Sequence, residues 1–242
     1  MRLSRSVRLS VAAVACTGLM SLSACGEDSE PEPRAETSEA PPAEEDAEPD
    51  AEEADVEEAG AETDGSTPEW ASPATEVSGE PITTIEVGDV TVEAYQVGIE
   101  KATKDGMFVD PETREPLLAE GDPVVYVNYV VTNNGDPIEL GSSLVKVTPT
   151  YDDWKWGQGM DITTDPEQYD ALGLNSGGLA PDAFRTPSVY TFGSGQSYTF
   201  AQGFRHQKGS PITFEVSVIP VDAEGSLIHD EGEKVEGSAT IA

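Results

Sequence analysis

Two histidines, His206 and His229, and two cysteines, Cys16 and Cys25, are all the imidazole and thiol chemistry in this 242-residue chain. The sequence contains no His/His/acid spacing for zinc, no Gly-x-Ser-x-Gly elbow and no Gly-rich phosphate loop, so the chain offers little from which to assemble an enzyme and no cofactor is expected. His229-Asp230 lies in a polar stretch and is expected in solvent. Carboxylates are abundant, and a glycosidase-like pair needs only two of them, but a composition this acidic offers such pairs by chance. Asp152, Asp153, Asp161, Asp165 and Asp170 form a local concentration of oxygen ligands of the kind Ca2+ prefers. Their spacing does not follow a Ca2+ loop, and the expectation is solvated carboxylates with no metal. Trp154 and Trp156 are two apart. On an extended backbone both rings point to one face, a stacking platform for a sugar or another planar group, against the plainer alternative of packing the loop onto a sheet. Arg205, His206 and Lys208 form a basic cluster at a predicted hairpin tip, suited to an anion or simply to solvent.

Cys25 carries the clearest signal. Arg2, Arg5 and Arg8 make a basic start, and residues 9–22 are mostly apolar and small, about 14 residues where a membrane-spanning helix needs about 20. This predicts a secretory signal over residues 1–24. The following Leu22-Ser23-Ala24-Cys25 resembles the lipobox of bacterial lipoproteins. That resemblance implies that the Cys25 thiol is diacylglycerated with palmitate-like chains, that cleavage occurs just before it, and that the protein is held on the extracellular face of the cell membrane. The competing reading is an ordinary cysteine after a conventional signal. With Cys16 removed and Cys25 acylated, no thiol is left for a disulfide or a metal.

The formal charge of -34 divides unevenly along the chain. Residues 26–70 hold 19 acids against Arg34 alone, a net of -18, while 71–242 hold 28 acids against nine bases. All 16 aromatics lie from Trp70 onward, so only the last ~170 residues can build a core. Nucleic acid is excluded as a partner, because no basic face of useful size can be assembled. Residues 25–79 read as a disordered acidic Glu/Ala/Pro-rich tether, too poor in apolar surface to offset chain entropy. A local helix over 51–62 competes, disfavoured by acids without a base at i+4. The tether's expected role is a spacer that projects the domain from the bilayer; capture of a basic partner or Ca2+ is the sharper alternative.

From residue 80 the pattern becomes short β-rich runs between Gly, Pro, Asn and Asp. Ile82-Val87, Val90-Ile99, Val124-Thr132, Ile138-Leu140, Leu144-Thr148, Val189-Phe192, Gln196-Phe204, Ile212-Ile219 and Val235-Ile241 are predicted strands. The apolar parity of the second run switches after Ala94, which predicts a bulge near Ala94 or burial of both faces. Val124-Thr132 is apolar almost throughout, as a central strand requires. Ile212, Phe214, Val216 and Val218 alternate with Thr213, Glu215 and Ser217, as in a half-buried strand. The expected fold is all-β, an antiparallel immunoglobulin-like β-sandwich of about seven to nine strands spanning 80–242.

The run Val125-x-Val127-x-Tyr129-x-Val131-Thr132-Asn133-Asn134-Gly135-Asp136-Pro137-Ile138-x-Leu140, after a lipobox and an acidic linker, resembles the uncharacterised immunoglobulin-like domains of Gram-positive, especially actinobacterial, lipoproteins. The resemblance covers about residues 85–220 and brings no catalytic residue. The chain departs from that pattern in an insertion at about 151–188. There Asp165-Pro166-Glu167-Gln168 predicts a helix start, with Asp165 as cap and Gln168 completing a capping box, ending at Gly173 and covering an edge or end of the sandwich. The expected function is a non-enzymatic surface lipoprotein whose domain binds an envelope protein or cell-wall glycan through this insertion. The alternatives are a solute- or calcium-binding lipoprotein serving a transporter or sensor, and an extracellular hydrolase.

Overall fold

The structure, a computed structural model, describes residues Ser66–Ala242, which fall within one compact unit, Val56–Ala242. The expected signal segment, Cys25 and the expected tether as far as residue 65 lie outside the described residues. Ten strands run β1 (Thr83–Val87), β2 (Val90–Lys101), β3 (Pro123–Asn133), β4 (Ile138–Leu140), β5 (Lys146–Tyr151), β6 (Ile162–Thr163), β7 (Tyr190–Phe192), β8 (Ser197–Arg205), β9 (Pro211–Val218) and β10 (Glu233–Thr240), with one short helix, α1 (Pro166–Ala171). Every pairing is antiparallel. A five-stranded sheet of order β1-β2-β3-β8-β6 and a three-stranded sheet of order β10-β9-β5 form the sandwich, and β4-β7 is a two-stranded ribbon. The all-β antiparallel sandwich is as expected, with ten strands in place of seven to nine.

β3 is central because its sequence can be buried on both faces. Val125, Val127, Tyr129 and Val131 enter the main core between the sheets, while Val124 and Tyr126 enter a second cluster on the outer face with Tyr169 and Leu174. From the opposite sheet, β9 alternates as expected, with Ile212, Phe214 and Val216 fully buried. Tyr129 meets Phe214 edge-on with ring centroids 5.9 Å apart. The bulge in β2 lies between Gln96 and Gly98, just past Ala94, and Val97 and Ile99 beyond it are exposed. Of the two expectations the bulge near Ala94 describes this strand, and burial of both faces does not. β1 ends its pairing at Ala94, so the strand loses a neighbour on one side where its parity changes.

The Asn-Asn-Gly turn after β3 is structural. The buried Asn133 donates through Nδ2 to the carbonyls of Asp136 and Phe192, each at 2.8 Å, and accepts from the Gly135 amide at 3.0 Å. Asn134 donates to the Asp89 carbonyl through its backbone amide, 2.9 Å, and to the Thr91 hydroxyl through Nδ2, 2.8 Å. A Cβ at Gly135 would collide with the Asp89 side chain. Two turns at one end of the sheet are thus tied together by a motif that needs these residue types.

The packed chain begins upstream of the boundary expected at residue 80. Trp70 is only 7% exposed and meets Tyr190, Phe192 and Tyr198 edge-on, and its indole N–H donates to the Thr191 carbonyl at 2.8 Å. Ala71 bridges Leu179, Ser72 donates to Gly178, and the Thr75 amide donates to the Thr199 hydroxyl. Residues 70–75 are therefore a strap along the insertion and β8, and the reading of 25–79 as tether is corrected for them.

Candidate functional site

The insertion leaves β5 at Tyr151, adds β6 to the edge of the five-stranded sheet beside β8, and ends at β7 of the ribbon. Its helix starts as the sequence implied: the Asp165 carboxylate accepts from the Glu167 amide at 3.1 Å, Pro166 opens the helix and Gly173 follows it at φ 65°. Gln168 does not close a capping box. It spans to the sheet instead, donating to the Lys101 carbonyl and accepting from the Tyr126 hydroxyl, both at 2.5 Å. Tyr169 packs edge-on against Tyr126, so α1 covers the outer face of the five-stranded sheet, not an edge or an end. There Tyr169 joins Val124, Tyr126 and Leu174 in the second apolar cluster.

The two indoles are together but do not form a flat platform. Trp154 and Trp156 have centroids 4.5 Å apart with planes at 63°, an edge-to-face pair. Both N–H groups are used inside the domain, Trp154 on the Gln158 carbonyl and Trp156 on the Asp110 carboxylate, each at 2.9 Å. That bond, ahead of two backbone amides, holds the Asp110 carboxyl below its ordinary pKa. The chain after Tyr151 turns at once, the Trp154 amide donating back to the Tyr151 carbonyl at 2.9 Å, so the extended geometry that would align the rings is absent. Trp156 pins the loop to the 105–118 segment, whereas the half-exposed Trp154 borders a groove.

That groove, about 460 Å3, lies on the outer face of the three-stranded sheet. Its floor follows from strand register: Thr150, Thr213 and Ser238 form one row and Thr148, Glu215 and Glu236 the next. Asp152 accepts from the Thr213 hydroxyl at 2.8 Å, and Lys234 pairs with Glu215 at 2.9 Å. Hydroxyls and carboxylates beside one aromatic ring supply donors and acceptors for a polyol together with an apolar surface for its C–H face. Two of the floor residues, Thr213 and Glu215, are visible in the sequence as the outward set of β9. The β5 and β10 contributions need the register.

The acids of the insertion serve separate tasks. Asp153 accepts from Gln207 and Ser210, Asp165 caps α1 and accepts from the Thr103 hydroxyl, and the buried Asp161 accepts from the Met107 amide at 3.0 Å and the Phe108 amide at 3.2 Å. Asp170 is exposed. Among the described residues no group of three or more His, Cys, Asp and Glu side chains is placed to hold a metal ion. The basic cluster is spread out: Arg205 donates to the Leu117 carbonyl at 2.6 Å, and a His206 ring nitrogen is 2.8 Å from the Ala242 carbonyl oxygen. His229 lies on an exposed 3-10 turn.

Among the described residues no helix is long and apolar enough to cross a membrane. No family model and no curated protein matches the chain. Among solved structures, a candidate lipoprotein of Bacillus subtilis, ycdA, is similar at 20% identity and a TM-score of 0.38, over 67% of this chain and 39% of that one. The chain thus spans well under half the length of that structural neighbour.

Proposed function

We propose that this protein is a non-enzymatic, membrane-anchored surface lipoprotein whose β-sandwich binds a cell-wall glycan on the outer face of the three-stranded sheet. The observation that carries the binding role is the Trp154 groove, where two rows of hydroxyl and carboxylate side chains run up to a half-exposed indole. Carboxylates accept paired hydroxyl donors from a sugar ring, threonines donate or accept, and the indole packs against the ring's apolar face. The anchoring role is supported by the sequence Leu22-Ser23-Ala24-Cys25 after a short apolar run. Binding rather than catalysis is supported by the histidines, one bonded to Ala242 and one on an exposed turn. No nucleic-acid partner and no cofactor enter this reading.

Two experiments test it. Purified cell-wall glycan fragments should bind the intact protein, and Trp154→Ala should weaken binding at least about tenfold, the effect of ~1.4 kcal/mol. Because Trp154 also packs on the core, Thr150→Arg, on an exposed strand position, is the second variant; it blocks the floor without touching the core. Undiminished binding by both variants would remove the glycan reading. For the anchor, Cys25→Ser should release the protein into the medium, and its retention at the membrane would remove the lipid.

A further inference from the structure

A second cleft, about 390 Å3, opens on the seam between the sheets, where β5 and β8 face one another without pairing. Its size is that of a small-molecule site. Two polar side chains of its wall, Tyr198 and Gln202, are already used internally. The Tyr198 hydroxyl accepts from the Val145 amide, and Gln202 donates to the Val147 carbonyl while accepting from the Tyr129 hydroxyl, all at 3.1 Å. What the wall offers a ligand is therefore the carbon surface of Leu144, Val147, Leu179 and Phe200. At the mouth Phe184 is 68% exposed, a large apolar ring in water with no folded-state benefit from that position.

The charge at this cleft runs against the rest of the domain. Residues 71–242 hold 28 acids and nine bases, yet the one charged residue lining the cleft is Lys146. Among the described residues no carboxylate pairs with it, the ion pair there being Lys234–Glu215. Ser142 and Ser143 stand beside it with exposed side chains. The upstream acidic chain is a poor occupant, since residues 26–65 contain one large apolar side chain, Val56. We propose that the seam cleft binds a long-chain fatty acid, with its hydrocarbon chain along the apolar wall under Phe184 and its carboxylate at Lys146 and the serine hydroxyls. Apolar burial supplies the affinity, and the lysine selects an anionic head.

The test uses the full chain carrying Cys25→Ser, with fluorescence of a dansyl-labelled undecanoic acid as the probe and unlabelled dodecanoate as competitor. Expected are saturable one-to-one binding, displacement by dodecanoate, and competition roughly tenfold weaker by dodecylamine, whose cationic head meets Lys146. Lys146→Glu should weaken dodecanoate roughly tenfold and reverse the preference for the anionic competitor. Ser143→Trp, a surface substitution that fills the mouth, should remove binding while leaving the circular dichroism spectrum unchanged. Thr150→Arg should leave fatty-acid binding intact, which separates this site from the glycan groove. Absence of saturable binding, or equal affinity in the parent, Lys146→Glu and Ser143→Trp proteins, overturns the proposal.

Discussion

On the side of β3 turned to the other sheet, Val125, Val127, Tyr129 and Val131 meet a continuous apolar layer; on the opposite side Val124 and Tyr126 share a small cluster under α1, and Asn128 is closed in with neither amide atom paired. Five residues further on, Asn133 is equally buried and makes three hydrogen bonds. The same residue type thus carries opposite free-energy signs along one strand. A satisfied buried amide fixes a turn, whereas an unsatisfied one costs roughly 1–3 kcal/mol. The inner face is held chiefly by hydrophobic burial, with the buried Tyr129 and Tyr198 hydroxyls paired. The outer face is covered by an insertion that fits less well.

The contrast can be tested in order of expected effect. Alkali should act on both faces together. Burial pushes the hydroxyls of Tyr126, outside, and Tyr151, inside, up to about 12, and that of Tyr198 higher still. An unfolded tyrosine titrates near ~10, so the native state holds these protons more tightly. Their contribution to stability is fully present below about pH 10 and is lost as pH rises through 12. Tyrosinate absorbance and the loss of β-sheet circular dichroism should then coincide; ionisation of these groups with the sheet intact would show that they are not enclosed.

Among substitutions, Phe214→Ala on the inner face should cost about 3–5 kcal/mol by urea unfolding, since its ring is fully buried. Asn133→Ala should cost about 3 kcal/mol, because two carbonyls and an amide lose their partner. Tyr126→Phe, which removes the hydroxyl bonded to Gln168, should cost about 1 kcal/mol and raise hydrogen exchange in α1 selectively. Asn128→Val should be the exception, leaving stability unchanged or raising it by up to about 1 kcal/mol. A loss above about 1 kcal/mol there would mean that the amide has a partner, and the contrast within β3 would collapse.

The inner face is legible in the sequence. The unbroken apolar run of β3, the strict alternation of β9 and the Asn-Asn-Gly turn each encode their conformation locally, through burial on two faces, period-two patterning and side-chain bonds to nearby backbone. The bulge in β2 is signalled by its parity switch but lies later, because the end of β1 pairing determines where the strand is free to deform. Gln168 and Trp156 depart from expectation for a common reason. Each bonds a residue more than forty positions away, Lys101 and Asp110 respectively, and local spacing carries no information about such partners. Trp70 stands out in the sequence as the first aromatic, yet its place in the core depends on ribbon and β8 residues distant in sequence. The groove is legible by halves: β9 displays its outward residues, while the rows they share with β5 and β10 belong to the register.

The strap at residues 70–75 also decides how the domain bears load. Any pull from the upstream chain reaches the fold first at Ser66, whose carbonyl accepts from the Ser197 amide, next at Trp70, whose ring is seated among Tyr190, Phe192 and Tyr198, and then at the bonds that join Trp70, Ser72 and Thr75 to Ala180, Gly178 and Thr199. These contacts break one after another from the free end, like a zipper, rather than together. Under tension the strap should therefore peel away at forces below those that rupture the sandwich. That would free several more residues of extended chain and spare the sheets behind it.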